Sequence, residues 1–85
     1  MDGVRERLQQ IMGRILEVEP SSLTPETDFF EDHGADSMMA LEAVVLIEQE
    51  FNIEVPEDRI SQMRTFAGLE KVVTELLGGS AVAAS

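Results

Sequence analysis

Apolar residues recur near the start of the chain at Val4, Leu8, Ile11, Ile15 and Val18, at spacings of four, three, four and three. That rhythm keeps them on one side of an α-helix, with Arg5, Glu6, Gln9, Arg14 and Glu17 on the other faces, and Pro20 ends the pattern. Residues 21–35 form a long connection rich in Pro, Thr, Asp and Glu, in which Thr24-Pro25-Glu26 reads as a turn or one helical turn. Leu23, Phe29 and Phe30 are its apolar anchors, expected to pin it over a core. A second helix is predicted from Ser37 to Phe51. Pro56 can open a short third one through Glu57, Asp58, Arg59 and Ile60. Thr65 can cap a fourth, with Phe66, Leu69, Val72, Val73, Leu76 and Leu77 as its stripe, stopped by Gly78-Gly79. No strand alternation is visible. The expected fold is all-α: a four-helix bundle of three main helices and a short third helix, with a long loop between helices 1 and 2. One domain over 1–78 and a flexible tail over 79–85 complete the expectation.

The second helix is more apolar than a surface helix should be. Between Met38 and Ile47 only Glu42 is charged. At about 100° per residue, Ala40, Ala43, Val44, Ile47 and Phe51 share one face, whereas Met38, Leu41 and Val45 share a second. Two stripes require two packing partners. Either the helix is buried nearly all round, or the ridge of Met38, Leu41 and Val45 awaits another protein. An apolar centre rimmed by Asp36, Glu42, Glu48 and Glu50 has the anatomy of a transient interface.

Composition narrows the function. Seventeen acids against six bases give a formal charge of −11, which repels nucleic acid and anionic lipid and attracts basic protein surfaces. There is no cysteine, hence no disulfide framework and no thiol of the chain's own. The amino terminus is charged where a signal peptide would be apolar, and no run is long enough to span a bilayer. A cytoplasmic monomer is expected.

The chemistry concentrates in Asp32-His33-Gly34-Ala35-Asp36-Ser37-Met38. Asp36 suits a helix N-cap, and Ser37 would then be the first helical residue, its hydroxyl at the positive end of the helix dipole where an anion is favoured. With Leu41-Glu42 and Glu48-Gln49-Glu50-Phe51 downstream, this segment resembles the acyl carrier proteins over roughly residues 4 to 77. Their signature is Asp-Ser-Leu, whose serine bears a phosphopantetheine arm; here Met38 replaces the leucine. The resemblance implies covalent 4'-phosphopantetheine on Ser37, with Asp36 as cap and recognition element for the phosphopantetheinyl transferase. It implies a carrier of acyl thioesters in fatty acid or polyketide assembly, and no catalytic residue. Partners would include a ketosynthase and an acyltransferase with basic docking patches, met by Met38, Leu41, Glu42, Val45, Glu48, Glu57 and Asp58. Met39 stands where many carriers have an acid and Gln49 where they often have a second, which suggests a more apolar docking surface. The Asp-Ser-Met-Met-Ala run leans toward polyketide carriers.

Other candidates are weaker. His33, the one histidine, could pair with Ser37 as base and nucleophile, yet nothing resembles an oxyanion hole, so a structural or solvent-facing role is expected. Asp28, Glu31, Asp32 and Gly34 do not keep an EF-hand register, and no metal site is expected. Phe29, Ala40, Ile47, Phe51, Ile60, Met63 and Phe66 would line the bundle if it opened around an acyl chain, and each is equally explained as core. The rival functions are a peptidyl or aminoacyl carrier, against which Ala35-Asp36-Ser37 argues, and an unmodified acidic helical adaptor.

Overall fold

The computed structural model describes residues 3–84. In chain order it contains α1 (Val4–Leu16), a 3-10 turn η1 (Pro20–Ser22), α2 (Phe29–His33), α3 (Ser37–Phe51), a 3-10 segment η2 (Glu57–Met63) and α4 (Phe66–Ala84). The three long helices are the predicted ones, and the short third helix takes the tighter 3-10 form. Among the described residues the only sheet-like pairing is an isolated bridge between Asp28 and Thr65.

The core is built by one stripe from each element. Leu8 and Met12 of α1, Val44, Ile47 and Phe51 of α3, and Phe66, Leu69, Val72 and Val73 of α4 are all buried. Burying such a side chain contributes about 1.5–3 kcal/mol, which makes these stripes the main source of stability in a chain of this size. Ile11, Ile15 and Val18 of the predicted first stripe pack at the margin of this core.

α1 ends before Pro20. Glu17 adopts a left-handed conformation at φ 60°, and the Val18 N–H donates to the Gly13 carbonyl at 3.0 Å, closing the last turn after Leu16. Pro20 instead opens η1. At the other end, the expected stop at Gly78-Gly79 does not occur, and helical backbone continues to Ala84. Glycine is a poor helix former at about 1 kcal/mol below alanine, but it keeps its N–H and carbonyl, and the alanines that follow favour the helix. The flexible tail expected over 79–85 falls on side chains from 79 onward and on Ser85, which lie outside the described residues.

The long first connection is ordered by hydrogen bonds to the start of α4. Phe29 N–H donates to the Arg64 carbonyl (2.9 Å), Phe66 N–H to Thr27 (2.9 Å) and Ala67 N–H to Pro25 (3.0 Å). Phe29 is buried and meets Phe66 edge-on, with ring centroids 6.2 Å apart. Phe30, expected as a second anchor, is instead 39% exposed and lies under the Arg64 guanidinium. Consecutive helical residues point about 100° apart, so only one of the two rings can reach the core.

Among the described residues, ion pairs join elements across the bundle: Arg5 to Glu70, Arg7 to Glu50, Arg59 to Glu75, and Arg64 to both Asp28 and Glu31. No helix among the described residues is long and apolar enough to cross a membrane.

Thr65 caps α4 as expected, its hydroxyl accepting from Gly68 N–H at 3.1 Å. Gly68 is required there, because a Cβ at this position would sit 2.0 Å from the Gln62 carbonyl oxygen of η2. Gly68→Ala should therefore destabilise the fold by about 1–3 kcal/mol in urea unfolding. Gly78→Ala, with nothing within 4 Å of its Cβ, should leave stability unchanged or raise it by up to about 1 kcal/mol.

Candidate functional site

The site begins with how α2 stops. Gly34 closes that helix at φ 68°, a left-handed conformation that side chains resist, and its N–H donates to the Phe30 carbonyl at 3.0 Å. The chain then extends through Ala35 to Asp36, whose backbone is extended and whose Oδ1 accepts from Met39 N–H at 2.9 Å. Asp36 is thus the N-cap that the sequence predicted. Ser37 is the first residue of α3 and is exposed.

Around Ser37 the two stripes of α3 separate. Ala43, Val44, Ile47 and Phe51 enter the core, while Met38, Leu41 and Val45 are 78%, 58% and 50% exposed. Burial all round is excluded. Glu42, next to Leu41 on α3, is exposed, and Glu57 and Asp58 are exposed in the first turn of η2. Glu48 is placed differently: it is half-buried, and its carboxylate accepts from Val55 N–H at 2.8 Å, tying the end of α3 to the segment that precedes η2.

Ser37 also borders an apolar cleft of about 460 Å³ between α3, α2 and η2. Of the residues expected to line such a space, Phe29, Ala40, Ile47, Ile60 and Met63 do so, whereas Phe51 and Phe66 belong to the core elsewhere. Met39 is half-buried and faces this cleft, so it does not extend the outer ridge as its sequence position suggested.

One part of the site was not read from the sequence. Asp28 caps α2, with Oδ1 accepting from Phe30 N–H (3.0 Å) and Glu31 N–H (2.9 Å), while Asp32 accepts from Asp28 N–H (2.9 Å). Arg64 reaches across from the end of η2 to Asp28 at 3.0 Å and lies at the cleft wall. The signals were present: acids three and four residues after Asp28, of which Asp32 makes the return bond, and Gly34 just past the helix end. The Glu31 N–H is the largest influence holding the Asp28 carboxyl below its ordinary 3.8, aided by the Arg64 guanidinium and Phe30 N–H against a smaller desolvation penalty. His33 sits half-buried in the last turn of α2.

A small helical bundle that holds one exposed serine at a helix start, between an apolar cleft and an acid-rimmed ridge, has the build of a carrier. Comparison with known proteins agrees. The family model described as phosphopantetheine attachment site matches residues 6–73. An acyl carrier protein of Phenylobacterium zucineum is 36% identical over 78 residues, covering 92% of this chain and 99% of the relative. One from Caulobacter vibrioides is 35% identical over 75 residues, covering 88% and 96%. The chain belongs to the acyl carrier protein family. It is therefore a carrier and not a catalyst, and the family implies a covalently attached 4'-phosphopantetheine.

The Asp28 geometry predicts a pH dependence. A carboxyl held below its ordinary value stabilises the fold fully above that value and loses the effect as pH falls through the depressed one. Asp28→Asn keeps a capping oxygen and removes the charge. Thermal unfolding should find the parent more stable than Asp28→Asn at neutral pH, with the two converging as pH falls below 3.8. A gap that stays constant with pH would show the charge to be irrelevant.

Proposed function

We propose that Ser37 bears the phosphopantetheine arm, and that the protein carries acyl groups as thioesters between enzymes of polyketide or fatty acid assembly in the cytoplasm, as a monomer. The observation that carries this reading is the exposed Ser37 at the first turn of α3, capped by Asp36 and beside the apolar cleft.

The residues present suit the group. Gly34 leaves open space before the serine, with nothing within 4 Å of where a side chain would begin. Asp36 occupies the Met39 N–H, and the first-turn N–H groups of Ser37 and Met38 form part of the positive end of the helix dipole, where a phosphodiester is favoured. When bound, the arm supplies the thiol that this cysteine-free chain lacks. Tethering gives the cargo a high effective concentration at each docked enzyme.

Docking falls to the exposed ridge of Met38, Leu41 and Val45, with exposed Glu42 on the same helix and Glu57 and Asp58 on η2 to meet basic patches on the transferase, ketosynthase and acyltransferase. Glu48 contributes indirectly, because its bond to Val55 N–H fixes the end of α3 relative to η2.

The test is intact mass after incubation with coenzyme A, magnesium and a broad-specificity phosphopantetheinyl transferase. The parent should gain one phosphopantetheine and Ser37→Ala none; no gain by folded parent would sink the reading. Leu41→Glu should slow loading by about tenfold or more, the cost of one central interface contact, with unfolding unchanged because the residue is on the surface.

A further inference from the structure

Methionines cluster at this site in graded degrees of burial. Met12 and Met63 line the cleft and are 5% and 8% exposed, Met39 lines it half-buried, and Met38 stands outside at 78%. Met38 is the most exposed large apolar side chain of the described residues, and it directly follows Ser37. Thioether oxidation requires the oxidant to reach sulfur, so exposure ranks these four as targets.

We propose that Met38 is a redox-sensitive modification site, at which peroxide oxidation to the sulfoxide lowers engagement of Ser37 by the phosphopantetheinyl transferase. The inference rests on the reading of Ser37 as the attachment serine and of its ridge as a docking surface. In the step itself a sulfur lone pair attacks one peroxide oxygen, the O–O bond breaks and an S–O bond forms. The transferred OH gives its proton to the departing hydroxide. Sulfur is oxidised by two electrons, and hydrogen peroxide is reduced to one water.

The consequence follows from where Met38 stands. On α3 it shares a face with Leu41 and Val45, three and seven residues on, so its side chain is part of one apolar surface. A sulfoxide oxygen is a strong acceptor, and docking would strip its water without offering a donor in an apolar contact. The acids around the ridge add acceptors and no donors. Leucine, which the family signature has at this position, carries no sulfur to oxidise, so the sensitivity is a property of this chain.

The experiment exposes apo protein and Met38→Leu to graded hydrogen peroxide, quenches it, and measures two things. Fragmentation of the Glu-bounded peptide 32–42 distinguishes an oxygen on Met38 from one on Met39, and the other peptides report Met12 and Met63. Initial rates of phosphopantetheine transfer are then compared between each protein and its own untreated form, so any effect of leucine on loading cancels. Met38 should gain oxygen before Met12, Met39 and Met63. Loading of oxidised parent should fall by about fivefold, as for loss of one interface contact. The Met38→Leu ratio should stay at one, and methionine sulfoxide reductase should restore the parent. Equal oxidation of the buried methionines, or normal loading by protein oxidised at Met38, would overturn the inference while leaving the attachment reading intact. Failure of untreated parent to load overturns both, and it shows before peroxide is added.

Discussion

The seam between residues 25–29 and 64–67 is the constraint on which the rest of the structure depends. A long connection in a small domain carries many backbone groups with no helix to satisfy them, and it acquires order only by finding partners elsewhere. Here it finds them at the η2–α4 junction, through backbone bonds from Phe29, Phe66 and Ala67 and the ion pair of Arg64 with Asp28. The Phe29–Phe66 contact buries the apolar side of the same seam. With that segment fixed, α2 ends at a defined point, Gly34 turns the chain, and Ser37 is delivered to one place. The position of Ser37 is thus set by contacts some thirty residues away in sequence.

Charge is arranged to leave the site acidic. Arg5, Arg7, Arg59 and Arg64 each pair with an acid on a different element, so four of the six basic residues serve to hold helices together. Individually such exposed pairs contribute about 1 kcal/mol or less. Their larger effect is on the field. Asp36, Glu42, Glu57 and Asp58 are exposed and lie outside these pairs, so the arginines leave their charge uncompensated.

α3 does two jobs with one sequence. Its inner stripe fixes the helix against α1 and the core, and small Ala40 and Ala43 at the boundary let the cleft approach Ser37. Its outer stripe of Met38, Leu41 and Val45 stays largely in solvent and outside the core. The helix is held by one face and leaves the other in solvent.

The sequence by itself determined the periodic elements and the local caps. α3 could be bounded from Asp36, Ser37 and Phe51 because an N-cap and a helical stripe are satisfied by near neighbours. The same holds for Thr65 before α4, and for Ser37 as the candidate attachment residue. Tertiary structure decided whatever depended on distant partners. It chose between Phe29 and Phe30, because only one ring could reach Phe66. It made α2, whose five residues are too few to fold alone and are held by Arg64 and the seam. It turned Met39 into the cleft and drew Glu48 to Val55 N–H, two outcomes that no helical wheel contains. It also settled that the Met38, Leu41 and Val45 face stays in solvent. Periodicity reports that a side of a helix is apolar; only the packed chain shows whether anything covers it.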